Sequence, residues 1–289
     1  IDKCIPRSNR VVANELKANI DKFSIFYEAL EATGLDEAMN TMEKTLSYTP
    51  PAEKSGYYIP TECKKGFTLF AEPDWVFNQH GIYTFPQLVE YCKEVYGKCA
   101  TGSRDWDHGW YDYFRNNGIE VDMSDNYTKE NNVVHMFVAY HMLKAAVNPT
   151  VLAFRMNTYS GNGWTNESYD YYETMLPKTL IKAWRVGESS TGWTTYINRY
   201  VTNNTLTDGK MTKGSASMHE VVYEGVGLQL DSILQPINGY IYPITDILVY
   251  DAKVPLGVLN ERMRFDALSF MGETMDNGYR GMMDSELSA

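Results

Sequence analysis

The stretch Phe67-Thr-Leu-Phe-Ala-Glu-Pro-Asp-Trp-Val-Phe77 decides how this chain reads. Its first five residues have the apolar and β-branched content of a short strand, entered from Gly66. Pro73-Asp74 then starts a helix, because proline is preorganised for the first turn. Upstream, Ile20, Phe23, Phe26, Tyr27 and Leu30 fall on one helical stripe over residues 20–33, and Gly34 is placed to end it in a left-handed turn. Residues 35–42 start a second helix, and residues 48–66, with paired prolines, Gly56 and Gly66, read as a loop leading into the strand.

Downstream of the stretch, residues 88–96 read as a helix and residues 97–129 as a polar, aromatic insertion. Residues 133–145 are apolar on nearly every side, which predicts a buried helix N-capped by Asn131 or Asn132 and ended by Pro149. Beyond it, residues 151–156, 179–186, 194–201, 220–230 and 240–250 have the β-branched and aromatic content of strands. Pro243 lacks a donor, so the last of these is expected to be irregular, at an edge or bulge. Residues 157–172 and 203–217 read as long loops, which in a compact domain are usually functional or disordered. Strands following helices predict an α+β domain with a sandwich core.

Composition sets wider bounds. The 289 residues, 44% hydrophobic and 13% aromatic, are enough for a sizeable core. A net charge of −11 without a Lys/Arg cluster argues against nucleic acid as a partner, since phosphate neutralisation needs clustered cations. No apolar run approaches the roughly 18 residues that cross a bilayer. Cys4, Cys63, Cys92 and Cys99 lack Cys-x-x-Cys spacing, so no zinc or redox site and no cofactor is expected. Cys92 and Cys99 flank Gly97 in a segment read as a loop short enough to close in an oxidising compartment; four ordinary thiols are the alternative.

Three stretches together carry a family resemblance: residues 67–77, Tyr140-His141 on the apolar helix, and Asn238-Gly-Tyr-Ile-Tyr-Pro-Ile-Thr-Asp-Ile-Leu-Val-Tyr250. They resemble the first box, the Tyr-His dipeptide and the last box of the fasciclin family, whose members are extracellular adhesion and binding modules. The run from Phe23 to Leu35 is similar to the family's opening helix pair. The resemblance implies an α+β fold with a fasciclin-like β-sandwich, a wedge of two sheets flanked by several helices, with long insertions. It implies one enlarged domain over residues 20–253, after a lead segment at 1–19 and before a linker or truncated following domain at 254–289. Carried over as structural or adhesion residues are Phe70, Asp74, Phe77, Tyr140, His141, Asn238, Gly239 and Ile241.

In some members the region near the Tyr-His dipeptide is implicated in integrin-type adhesion. A buried His141 that satisfies one backbone carbonyl explains the same pattern without any ligand. Several positions depart from the family pattern. Glu72 stands between Ala71 and Pro73, Tyr242 stands where His is common, and Thr245 stands where Asp is common, with Asp246 one step later. Enlarged fasciclin-like proteins also occur as surface lipoproteins of Gram-negative bacteria that take up glycans, and the Tyr- and Asn-rich composition resembles those. That implies an extracellular or cell-surface location, outer-membrane-anchored by a lipid upstream of residue 1.

Two polar stretches are candidates for chemistry. Arg104-Asp-Trp-Asp-His-Gly-Trp-Tyr-Asp-Tyr113 offers Asp105, Asp107, His108 and Asp112 as hard-cation ligands or acid and base, with a solvated loop as the plain alternative. The same loop and residues 162–172 place flat rings beside amides and carboxylates, a mixture suited to sugars or a protein partner. Trp106, Trp110, Tyr111, Trp164, Tyr169 and Trp193 are the candidate contact residues, unless these rings only pin the loops to the core. No nucleophile elbow, zinc-helix, phosphate-loop or dinucleotide motif is present. The sequence therefore reads as a non-catalytic surface module recognising a protein or glycan through aromatic loops. A structural spacer and a metal-assisted hydrolase using Asp105, Asp107 and His108 are the alternatives.

Overall fold

The computed structural model describes residues 8–40, 42–44, 62–100, 110–153, 159–160, 163–164, 168–188, 192–202, 205–207, 210–212, 221–223, 225–251 and 254. Helix α1 (Val12–Ala18) packs against α2 (Ile20–Thr33) and α3 (Leu35–Asn40). The expected stripe forms α2, which Gly34 ends at φ 72°, a conformation that penalises residues with a Cβ. α3 stops before 42, because Met42 enters β1 (Met42–Lys44), paired with β2 (Glu62–Lys64). Val12 and Leu16 are fully buried, so the core begins ahead of residue 20, inside the segment read as a lead.

Strand β3 (Phe67–Ala71) forms as expected and leads through Pro73, the N-cap residue, into α4 (Asp74–Gln79). α5 (Phe85–Ala100) is longer at both ends than residues 88–96, and α6 (Trp110–Asn117) follows it. Residues 97–129 are thus not one irregular insertion. Tyr113 and Phe114 join the core, and the Tyr113 hydroxyl donates to the Pro177 carbonyl at 2.9 Å. Cys92 and Cys99 both lie in α5, which corrects their reading as the ends of a closable loop. Two helical turns hold their Cα atoms about 10 Å apart, beyond the roughly 7 Å a disulfide spans. Cys92 is a buried free thiol.

α7 (Val133–Tyr140) is capped by Asn132, whose Oδ1 accepts from the Val134 amide at 2.9 Å. All its residues except His135 are buried, and each fully buried Val, Met or Phe contributes roughly 1.5–3 kcal/mol. The helix ends at Tyr140, short of residue 145, because Met142 and Leu143 leave it as β4 (Met142–Leu143) to pair with Leu69 and Thr68. The central sheet has the order β15, β3, β4, with β15 (Gly239–Pro243) parallel to β3. Pro243 is the last residue of this edge strand, as its missing donor requires, and residues 244–250 are not part of it.

Among the short pairings of the second half are β5 (Tyr159–Ser160) with β6 (Gly163–Trp164), and β10 (Tyr200–Thr202) with β13 (Val221–Tyr223). The larger sheet is antiparallel, in the order β14, β9, β8, β7. It comprises β7 (Ser168–Glu173), β8 (Leu180–Glu188), β9 (Gly192–Ile197) and β14 (Val226–Gly227). β7 corrects the reading of residues 157–172 as all loop: its alternating polar and aromatic residues show no plain apolar face, and pairing with β8 makes the strand. Within 203–217, β11 (Thr205–Thr207) and β12 (Lys210–Thr212) form a hairpin. The stretch 220–230 is broken at Gly225, φ 67°, where a Cβ would lie 2.2 Å from the Ile197 carbonyl oxygen. Residues 151–153 form a turn rather than a strand, with Asn148 Oδ1 accepting from the amides of Thr150 and Val151.

The protein is α+β. Ile181, Ala183 and Ile197 of the larger sheet share one apolar core with Leu69 and Ile241 of the central sheet and Phe137 of α7. Gly239 fixes how closely β15 approaches β3, since a Cβ there would sit 1.9 Å from the Phe67 carbonyl oxygen. Gly239→Ala is therefore expected to lower the denaturation midpoint by more than Ile241→Val, whose cost should be about 0.5–1.5 kcal/mol. Chemical-denaturation curves of the two variants check this, and equal losses would show that the backbones separate cheaply.

Candidate functional site

The fold brings the eight carried-over motif residues to the central sheet and the helices against it. Phe70, Phe77, Tyr140 and Ile241 are fully buried. Asn238 Oδ1 accepts from the Val12 amide and its Nδ2 donates to the Met39 carbonyl, both at 2.9 Å, tying the last box to α1 and α3. The Tyr140 hydroxyl donates to the Leu180 carbonyl at 3.0 Å and accepts from Asn198 Nδ2 at 2.9 Å, which links α7 to the larger sheet. Burial raises the Tyr140 phenol far above its ordinary pKa.

His141 and Glu72, both 0% exposed, form the centre of this arrangement. His141 Nδ1 lies 2.7 Å from the Phe137 carbonyl, which can only accept, so Nδ1 carries a proton. His141 Nε2 lies 2.8 Å from Glu72 Oε1, which also accepts from the Leu248 amide at 3.0 Å. Glu72 Oε2 is buried without a hydrogen-bond partner among the described residues. The rings of Phe26 and Phe137 pack on the imidazole at 5.3 and 4.4 Å between centroids. The family reading treated Glu72 as an interruption of the box; the structure makes it the partner of the Tyr-His histidine.

Close to this pair, desolvation first and the Glu72 charge second push the Cys92 thiol well above its ordinary pKa. Nucleophilic chemistry needs the thiolate, so burial leaves Cys92 unreactive.

The aromatic contact residues do not enter this picture. The backbones of Trp110 and Tyr111 lie in α6, Trp164 in β6, Tyr169 in β7 and Trp193 in β9, while their side chains are outside the described residues. Trp106 and the Asp105, Asp107 and His108 cluster are outside them altogether. Among the described residues no group of three or more His, Cys, Asp or Glu side chains is placed to hold a metal ion.

The structure exposes instead a groove that the sequence did not single out. α2 is kinked at Phe23, whose φ of −129° and ψ of 32° are not helical. Asp74 accounts for the continuation beyond the kink: Oδ2 accepts from the Ser24 amide at 3.1 Å and Oδ1 from the Ile25 amide at 3.0 Å. A carboxylate from another element thus caps the second half of α2. Asn19, Asp21 and Lys22 of the preceding turn line a groove of ≈ 340 Å³ together with Trp75, Gln229 and Ser232. Trp75 is 43% exposed there, against floor residues Phe23, Pro73 and Pro243 that are buried. The signal available in the sequence was a large aromatic residue directly after the helix-starting Asp74, on a helix whose inner face is already supplied by Val76 and Phe77.

No protein-family model matches the chain, and no curated protein matches it. No helix among the described residues is long and apolar enough to cross a membrane.

Two outcomes are expected from the interior cluster. His141→Ala leaves the Glu72 carboxyl buried without its partner and should cost on the order of 3–5 kcal/mol, whereas Glu72→Gln, which retains an amide oxygen for the Leu248 amide, should cost less. Thermal melts of both variants decide the matter, and a near-neutral His141→Ala would show that water replaces the ring. Separately, iodoacetamide at pH 8 should leave Cys92 unmodified in the native protein and alkylate it after denaturation, read by peptide mapping. Native labelling at Cys92 would contradict its burial.

Proposed function

We propose that this chain is a fasciclin-like, non-catalytic binding module that works outside the cell or at its surface and recognises a protein or glycan. The observation that carries the reading is the convergence of all three boxes. β3 and β15 pair in parallel register, Gly239 opposite Phe67, and His141 sits behind them on Glu72 and Leu248. The polar groups of the boxes are committed to the fold: Asp74 to α2, Asn238 to α1 and α3, and Tyr140 and His141 to backbone and buried partners. Recognition then falls to surface groups, with the aromatic residues Trp106, Trp110, Tyr111, Trp164, Tyr169 and Trp193 as the contacts proposed from composition. Attachment to an outer membrane through an upstream lipid belongs to the same proposal and is supported by the resemblance alone.

The test is a binding screen of the purified chain against a glycan array and a panel of extracellular proteins. It is run beside hydrolysis assays on the same glycans and on peptide substrates, with and without divalent cations. Saturable binding without turnover is the expected result. Cation-dependent turnover abolished by Asp105→Asn/Asp107→Asn would overturn it in favour of a hydrolase, and absence of any binding would overturn it in favour of a spacer.

A further inference from the structure

The groove at the kink of α2 combines an exposed indole with polar side chains that the fold does not use. Among the described residues Asp21, Lys22, Gln229 and Ser232 line it without a side-chain hydrogen bond or ion pair, while Asp74 beside them is fully used in capping α2. The Trp75 indole lines it together with the apolar Phe23, Pro73 and Pro243. The Trp75 indole is 43% exposed on a helix whose next two residues are fully buried.

Size and charge select the ligand class. A volume of ≈ 340 Å³ is at the low end of the 300–1,000 Å³ typical of small-molecule sites. A stable protein partner would cover about 800 Å² on this side, more than one such groove provides. The Asp74 carboxylate is already engaged by the α2 amides, which leaves one carboxylate, Asp21, and one ammonium, Lys22, toward a ligand, so neither an anion nor a cation is selected. A flat apolar ring edged by unused amide, hydroxyl, carboxylate and ammonium groups fits a neutral molecule with one apolar face and many hydroxyls.

We propose that this groove is a saccharide subsite, in which Trp75 stacks on the apolar face of a neutral sugar ring while Gln229, Ser232, Asp21 and Lys22 bond its hydroxyls. The proposal rests on the binding reading above and adds to it a ligand class and a site built from residues other than the six aromatic contacts. The Asp74 cap fixes the subsite by holding α2 kinked, so the groove is formed before any ligand arrives.

The experiment is isothermal titration with a set of short neutral oligosaccharides, of gluco-, manno-, galacto- and xylo-configuration. The proteins are wild type, Trp75→Ala, Gln229→Ala and Trp106→Ala/Trp164→Ala, each with its melting temperature checked. Wild type should bind at least one oligosaccharide, with affinity falling tenfold or more in Trp75→Ala and three- to tenfold in Gln229→Ala. Because Trp75 and Gln229 are outside the core cluster, these variants should melt with wild type. Undiminished affinity in Trp75→Ala, or loss only in the loop double variant, overturns the subsite and leaves the binding module standing. No binding of any oligosaccharide by wild type also overturns it; the protein panel then decides separately whether the module reading fails too.

Discussion

One buried contact, between the Glu72 carboxyl and the His141 imidazole, holds together parts of the chain that are far apart in sequence. Glu72 follows β3, His141 ends α7, and Leu248, whose amide shares the same carboxyl oxygen, follows β15. Burying one such group alone would be expensive, and burying the two in contact, with a carbonyl on the far ring nitrogen, removes most of that cost. The pair therefore fixes the relative positions of the first box, the Tyr-His dipeptide and the last box. Parallel pairing of β3 and β15 depends on that placement, since strands so remote in sequence have no turn to set their register.

The same economy of polar groups separates structure from recognition. Asn238 joins the last box to α1 and α3, and Tyr140 joins α7 to the larger sheet. Asp74 is the residue where the two roles meet. By capping α2 beyond Phe23 it uses up its own carboxylate, and the kink it stabilises presents the turn before it to the Trp75 face. A motif residue can thus shape a surface without touching what binds there.

Legibility followed the range of the interactions. The helix of residues 20–33 and its glycine stop were readable because periodicity and a left-handed cap are local properties. The strand of residues 67–71 was bounded correctly by Gly66 and Pro73. The end of α7 was misplaced because nothing within residues 133–145 opposes helix; what extends Met142 and Leu143 is the free edge of β3. The disulfide reading of Cys92 and Cys99 failed for a related reason: Gly97 looked like a turn, but the helix continues through it. Glu72 resembled a misplaced residue in a familiar box until its partner, remote in sequence, was in view.

By itself the sequence determined an α+β chain, the helices of residues 20–33 and 35–40, the central strand and the irregular end of the last strand at Pro243. These depend on side-chain pattern and on the fixed backbone habits of glycine and proline. Only the tertiary structure decided the pairing of Glu72 with His141, the strand character of residues 168–173 and the groove beside Trp75. Each of these exists where segments distant in the chain meet, and their free energy comes from a partner that no local window of sequence contains.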